Sequence, residues 1–128
     1  MEKILDDGNI IETRPEISES ILSQKTISQL TAMFVSVVEN GFAKSARIPG
    51  YYIAGKTGTA QVPEKGTYSS DKTWQSFVGF APAFSPKFLI LVKLDSPETK
   101  TAEYSAVPIF REMAKYIIDY LQIPPDYE

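Results

Sequence analysis

Residues 74–94 read WQSFVGFAPAFSPKFLILVKL, which is two strand-like runs joined by a turn. The first run, 74–81, is rich in aromatic and β-branched residues, and proline and serine in the segment 82–87 indicate the turn. Residues 88–94 are apolar at almost every position, a pattern typical of a central buried strand. A third β-prone run, 51–62, precedes them. Short connections favour antiparallel pairing of the three runs in chain order.

Two amphipathic patterns flank these runs. The first predicts a helix that begins at Ser23 or at Thr26, the latter with Gln29 as its capping-box partner, and that ends at Asn40 before a glycine. The second predicts a helix that starts near Ser105, has Pro108 in its first turn and ends before Pro124, with residues 108–121 packed on one face of the sheet. The expected inward-facing residues are Ile27, Leu30, Met33, Phe34, Val37 and Val38 in the first helix, and Ile109, Phe110, Met113, Ile117 and Leu121 in the second.

The remaining segments are short. Residues 3–5 and 10–12 flank the turn-forming sequence DDGN and predict a hairpin. We expect an extended segment at 17–22 and polar loops at 63–73 and 95–103. The predicted fold class is therefore α+β, an antiparallel sheet flanked by helices in one domain.

Composition excludes several function classes. The 128 residues include 13 Lys plus Arg against 16 Asp plus Glu, which argues against a nucleic-acid partner. The sequence contains no Cys and no His, so it offers no thiol nucleophile, no Ser-His-Asp triad and no thiolate or imidazole metal ligand. We expect no transmembrane segment, because no run approaches ~18 apolar residues. We expect no signal peptide, because the start MEKILDD is too polar and its apolar core is too short.

Residues 50–57, GYYIAGKT, match the nucleotide-binding pattern G-x-x-x-x-G-K-[ST] letter for letter. A P-loop needs a strand before its first glycine and a helix after its last residue, so that backbone N–H groups converge on phosphate. Here the residues before Gly50 make a poor strand, and Gly58 and Pro63 would break a helix. We therefore expect no nucleotide site at this position.

A second motif, S-x-x-K, occurs at Ser69 and Lys72. In serine acyl-enzymes this spacing works because a helix places the two side chains one turn apart, so that the amine activates the hydroxyl. Both residues lie in the expected polar loop 63–73, which lacks helical periodicity. We therefore expect a solvated loop here and not a nucleophile.

The third motif is Lys56-Thr57-Gly58, followed by Thr59, within the run 51–62. Because side chains alternate along a strand, Thr57 and Thr59 would share one face and Lys56 would lie on the other. Two hydroxyls on one face can bind a carboxylate, and Lys56 can act as a cationic anchor that aids proton movement. Gly58 would let the backbone approach a ligand closely. The alternative for Lys56 is a solvated edge-strand lysine that discourages aggregation.

With their neighbours, these residues resemble the C-terminal part of the transpeptidase domain of class B penicillin-binding proteins, the peptidoglycan D,D-transpeptidases of cell division and elongation. The resemblance extends over nearly all 128 residues. It is carried by the DDGN hairpin at 6–9, VSVVENG at 35–41, IPGY at 48–51, AGKTGTAQ at 54–61, SFVGFAP at 76–82 and the helix from Pro108. Residues 41–44, GFAK, depart from the small, polar residues that the resemblance would place after the first helix.

The resemblance implies the fold shared with serine β-lactamases, with the K-T-G strand at the edge of an active-site cleft. Such a site combines S-x-x-K, S-x-N and K-T-G motifs. It implies that Lys56 and Thr59 are catalytic, the Thr59 backbone N–H as one oxyanion donor, and that Thr57, Gly58 and Thr59 bind substrate. The implied ligands are the D-Ala-D-Ala stem peptide of peptidoglycan and β-lactams, with no cofactor and no metal. The implied location is the extracytoplasmic face of the cell membrane.

In that family the S-x-x-K and S-x-N motifs precede K-T-G, and residues 1–55 contain no convincing candidate for either. We therefore expect residues 1–128 to be a C-terminal fragment of a transpeptidase domain, inactive alone, whose partner is the missing nucleophile-bearing part. The run 88–94 would then be exposed along one edge. An alternative is a non-catalytic binding or interaction module that uses the same sheet. A β-lactamase fragment is disfavoured, because the resemblance extends to both helices and the hairpin.

Overall fold

The computed structural model describes residues 3–6, 9–12, 18–64 and 66–128. The elements of this part of the chain are β1 (Lys3–Asp6), β2 (Asn9–Glu12), α1 (Gln24–Glu39), β3 (Ala54–Glu64), β4 (Thr67–Ala81), β5 (Phe88–Asp95) and α2 (Ala106–Tyr120). Two short 3-10 helices, Lys44–Ala46 and Ala102–Tyr104, lie in the connecting loops. This mixture confirms the predicted α+β class.

The main sheet consists of β3, β4 and β5, paired antiparallel in chain order as predicted. As expected, β4 occupies the centre, and β5 pairs with β4 alone in the described sheet, which confirms the predicted free edge of β5. On the open face of β5, Leu89 and Leu91 are 65% and 63% exposed. One face of β5 is covered by α2 and buries Ile90 and Val92, whereas the other face is open.

The predicted polar loop at 63–73 is wrong, because β3 and β4 continue through most of it as a two-stranded ribbon. Ladder pairs Pro63↔Tyr68 and Glu64↔Thr67 close the ribbon. A β-bulge follows, in which Val62 alone faces four residues, 69–72, of β4. The ribbon extends beyond the end of β5, so both of its faces meet solvent, and its sequence is polar for that reason rather than for lack of structure.

Helix α1 begins after Ser23, whose Oγ accepts a hydrogen bond from the Thr26 backbone N–H at 3.2 Å. This identifies Ser23 as the N-cap, and the alternative cap at Thr26 is wrong. The helix lies against β3. Of the predicted inward-facing residues, Val38 is fully buried, but Met33 is 62% exposed and its assignment to the core is wrong.

Helix α2 covers one face of β4 and β5, with the Phe110 ring edge-on to the Phe77 ring at a centroid distance of 4.8 Å. Its buried side chains are Ala106, Val107, Phe110, Ala114 and Ile118. The predicted stripe was therefore displaced: Ile109, Met113 and Leu121 are substantially exposed. The two alanines carry little hydrophobic signal in the sequence, but their small size lets the helix backbone approach the sheet.

At the N-terminus, β1 and β2 pair antiparallel, which confirms the predicted hairpin. Of the expected extended segment 17–22, residue 17 lies outside the described residues and residues 18–22 form no strand. None of the helices in the described ranges has the length and apolarity required to cross a bilayer.

Candidate functional site

The K-T-G motif lies on β3, which is the free edge of the described sheet opposite β5. Register pairs Thr57 with Phe77 and Thr59 with Gln75 on the central strand. Because directly paired residues share a face, both threonines lie on the face that α2 covers farther along. The free edge leaves this stretch of backbone accessible to a ligand.

The start of β3 is held by residues that follow α2. Tyr51 donates its hydroxyl hydrogen to the Ile123 carbonyl oxygen at 2.7 Å. Asp126 makes two hydrogen bonds to the same segment. Its Oδ2 accepts from the Tyr52 N–H at 2.8 Å, and its own N–H donates to the Gly50 carbonyl oxygen at 2.7 Å. These contacts fix the strand only a few residues before the motif.

Thr57 and Thr59 line a pocket of about 280 Å³. The other lining residues are Phe42, Thr101, Ala102 and Glu103. The opposite wall thus comes from the 3-10 helix Ala102–Tyr104 and the residue before it. Ser45 fastens this wall, because its hydroxyl donates to the Glu103 carbonyl oxygen at 3.3 Å. The pocket combines hydroxyl groups, one carboxylate and one aromatic side chain.

Lys56 lies on the other face of β3, as strand alternation predicts, and is exposed. Its Nζ donates a hydrogen bond to the Thr57 carbonyl oxygen at 2.8 Å. The residue lines a separate, mainly apolar pocket of about 160 Å³ together with Phe34, Val78 and Leu89. The structure therefore places Lys56 beneath the strand that carries the two threonines, rather than beside them.

Gly58 pairs with Ser76 on the central strand. An added Cβ at Gly58 would come within 2.6 Å of the Ser76 Oγ. The glycine therefore makes room for a neighbouring side chain on the Lys56 face. Its predicted role in the approach of a ligand concerns the backbone and stays a prediction.

The P-loop match is excluded by the backbone. Where a phosphate site needs a helix after Thr57, the chain continues as β3 as far as Glu64. Gly50 has a positive φ of 86° and lies next to the isolated bridge between Ile48 and Tyr51. No helix N-terminus is available at this position to bind phosphate.

The S-x-x-K match lies on β4, in the bulge, and not in the loop that the sequence suggested. Ser69 Oγ accepts hydrogen bonds from the backbone N–H groups of Asp71 and Lys72, at 3.3 and 3.1 Å. The Lys72 amine pairs with the Glu64 carboxylate at 3.3 Å. The hydroxyl thus accepts hydrogen bonds in a local turn, and the amine neutralises a different partner, so the two do not form a nucleophile–base pair.

Sequence reasoning did not predict Phe42, Thr101 and Glu103 as pocket residues. They come from loops far apart in the chain, and only the tertiary fold brings them opposite the threonines. The sequence offers one signal, an aromatic residue at position 42 among small and polar neighbours. In the structure, Phe42 is 80% exposed.

Residues 1–115 match the family described as "Penicillin binding protein transpeptidase domain". The chain is 35% identical to penicillin-binding protein PbpB of Mycolicibacterium smegmatis over 133 aligned positions, which cover 94% of this chain and 20% of that protein. It is 39% identical to the peptidoglycan D,D-transpeptidase FtsI homolog of Nephroselmis olivacea over 112 positions, covering 84% and 16%.

Solved structures of penicillin-binding proteins are also similar to this fold. The transpeptidase domain of Burkholderia pseudomallei penicillin-binding protein 3 superposes with a TM-score of 0.79 at 27% identity, covering 93% of this chain and 38% of that one. Penicillin-binding protein 3 of Mycobacterium tuberculosis, complexed with ampicillin, gives 0.77 at 31% identity, covering 93% and 29%. The chain spans about a fifth of the length of the curated relatives it matches.

Proposed function

Because the chain belongs to the penicillin-binding protein transpeptidase family, we propose that it supplies the K-T-G wall of a peptidoglycan D,D-transpeptidase. In this function a serine attacks the peptide bond between the two D-Ala residues of one stem peptide, which releases the terminal D-Ala and leaves an acyl-enzyme. An amine of a second peptide then takes the acyl group and frees the serine. β-Lactams acylate the same serine. The enzyme would work at the extracytoplasmic face of the membrane.

The observation that carries the proposal is the pair of hydroxyls, Thr57 and Thr59, on the free edge of β3 at a pocket. Each hydroxyl can donate one hydrogen bond, and two donors on one face match the carboxylate that a D-Ala-D-Ala terminus or a β-lactam presents. The ampicillin complex of the related Mycobacterium tuberculosis protein supports β-lactams as ligands of this wall.

Lys56 and Thr59 would contribute to the chemistry. A lysine beneath the strand adds positive charge below the cleft, where it stabilises an anionic ligand and aids proton movement. The Thr59 backbone N–H would be one of two donors to the oxyanion of the tetrahedral intermediate, a role worth about 3–4 kcal/mol in other acyl-transfer enzymes. Gly58, between them, keeps the backbone open to the ligand.

We further propose that residues 1–128 are a C-terminal piece of the transpeptidase domain, and that the nucleophile and its lysine come from the part that precedes it. Two features support this. The single S-x-x-K pair, Ser69 and Lys72, is engaged elsewhere. The open face of β5 exposes Leu89 and Leu91, which fits a sheet that is normally covered by further structure.

The test is covalent labelling with a fluorescent penicillin, followed by intact mass measurement. We expect no adduct on the 128-residue chain, because an acyl-enzyme requires an activated nucleophile. A longer protein that adds the preceding part of the domain should take up one penicillin per chain. A stoichiometric adduct on the 128-residue chain, mapped to Ser69, would contradict the proposal, as would a longer protein that stays unlabelled.

A further inference from the structure

Gln75 is a polar side chain that is completely buried, at 0% exposure, on the central strand β4. It pairs directly with Thr59 on one side and with Leu94 on the other. Since paired residues share a face, the Gln75 side chain lies on the same face as the proposed carboxylate-binding threonines. A buried amide is costly unless its hydrogen-bonding groups are satisfied.

All the hydrogen-bonding capacity of this amide is used. Its Nε2 donates to the Thr99 carbonyl oxygen at 2.6 Å and to Thr73 Oγ1 at 3.0 Å. Its Oε1 accepts from Thr99 Oγ1 at 3.1 Å and from Ser105 Oγ at 2.5 Å. A primary amide offers two donors and two acceptor lone pairs, and each has a partner here. Such fully satisfied networks fix a single arrangement of the segments that they join.

Two of the three partners of Gln75 lie at the ends of the wall that faces Thr59, whereas Thr73 is on β4 itself. Thr99 comes just before residues 101–103, and Ser105 comes just after them. Gln75 therefore links the wall to the central strand at the register of Thr59.

We propose that Gln75 is a positioning residue that sets the separation of the two walls of the cleft and thereby the affinity for ligand. The proposal rests on the function proposed above, in which Thr57 and Thr59 bind a carboxylate between these walls. Gln75 does not touch the ligand. It holds residues 101–103 opposite Thr59, so its loss widens the cleft without removing a binding group.

The first test measures hydrogen exchange in the 128-residue chain. The Tyr104 and Ser105 amides donate to the Thr101 and Ala102 carbonyls and report the order of the wall. Gln75→Met removes all four hydrogen bonds and should raise their exchange rates at least about tenfold, the effect of losing even one buried hydrogen bond, and leave the β3–β4 ladder amides unchanged. Gln61→Met, at an exposed glutamine on the same face, is the matched control and should change neither set.

Ser105→Ala provides a milder variant should Gln75→Met fail to fold, because it removes one of the four contacts and leaves the others. It should raise the exchange rates of the same two amides about threefold, because only the partly buried bond from the Ser105 hydroxyl to Gln75 is lost. Unchanged wall amides in the folded variants, or equal acceleration throughout the sheet, would overturn the positioning role.

The second test uses the longer protein that carries this chain and separates penicillin binding from acylation. Gln75→Met should weaken the non-covalent complex about tenfold while the limiting acylation rate stays within about twofold, because the wall positions ligand and takes no part in the chemistry. Unchanged affinity despite a loosened wall would overturn the link to ligand. If the unsubstituted protein bound no penicillin, the proposed function would fail, and hydrogen exchange would still decide whether Gln75 holds the wall.

Discussion

Gly55 and Gly79 face each other across β3 and β4 and leave space for the rings of Phe77 and Phe110. A Cβ added to Gly79 would come within 2.7 Å of the Phe110 ring and 2.9 Å of the Phe77 ring. Both rings are fully buried and pack edge to face, so neither can move without disturbing the contact between α2 and the sheet. The glycine pair is therefore a requirement of core packing.

Gly79→Ala should lower the free energy of unfolding by about 1–3 kcal/mol, the range for overpacking a tight core. The measurement is urea denaturation monitored by circular dichroism. Phe110→Leu, which removes ring atoms at the point of contact, should make the added methyl group less costly. If the costs of Gly79→Ala and Phe110→Leu simply add in the double variant, the proposed clash is not the cause.

Two lysines differ sharply in their expected importance for acylation. In the longer protein, Lys56→Ala should slow penicillin acylation by about 10²-fold or more, because it removes a positioned cation and proton carrier from beneath the cleft. Lys72→Ala should change the rate less than about twofold, since it breaks only an exposed ion pair with Glu64. The readout is the pseudo-first-order labelling rate at several penicillin concentrations. Equal effects would show that Lys56 is only a solvated edge-strand lysine.

At the scale of elements, β5 joins a free edge to an apolar open face. Leu89 and Leu91 pair with Phe80 and Val78 of β4, so four apolar side chains share that face. Unpaired edges with apolar side chains promote association between chains. A second apolar strip, on the outer side of α2, includes Met113 at 45% exposure, but it lies on a helix and offers no unpaired backbone.

We expect the 128-residue chain to self-associate, and Leu91→Lys to weaken that association at least about tenfold, because a charged edge resists strand pairing. Sedimentation velocity over a wide concentration range measures the effect. Met113→Lys is the matched control, a charge placed on an exposed apolar side chain away from the edge, and should leave association unchanged. A strictly monomeric unsubstituted chain would contradict this prediction.

The elements also show what the sequence could predict and what it could not. The order of the strands, the antiparallel pairing and the N-terminal hairpin followed from local pattern, because turn residues and apolar runs are local signals. The inward face of α2 did not follow, since it depends on close approach at Ala106 and Ala114. The composition of residues 63–73 indicates a loop because a solvent-exposed ribbon has the same polar composition.

For the candidate site too, local features were predictable from the sequence and tertiary ones were not. Lys56, Thr57, Gly58 and Thr59 are contiguous, and strand alternation alone predicted which of them share a face. The opposite wall was not predictable from the sequence, because residues 101–103 are distant from the motif in the chain and approach it only through tertiary packing. Gln75 gave no sequence signal either, since an isolated glutamine in a strand is ordinarily exposed and its burial depends on partners some 24 and 30 residues away.

At the scale of the whole molecule, the last residues of the chain, which follow α2, contact the segment just before the K-T-G strand. Tyr51→Phe removes the hydroxyl that donates to the Ile123 carbonyl and should cost about 1 kcal/mol of unfolding free energy. The same change should speed hydrogen exchange at the Tyr127 amide, which bonds to Gly50. Tyr104→Phe, at a tyrosine that is 69% exposed, is the control and should have no effect. A loss of equal size in both variants would contradict the anchoring role.

The bulge between Gln61 and Pro63 separates the ribbon tip from the K-T-G register. At the tip, Gly66 has a positive φ of 84°, and an added Cβ there would meet nothing within 4 Å. In the bulge, one residue of β3 lies opposite four residues of β4, so the two strands already differ in length there. A change at the tip therefore need not alter the pairing of Thr59 with Gln75. The tip is therefore a permissive site for insertions, where evolution or an engineered epitope could lengthen the ribbon and leave the cleft unchanged.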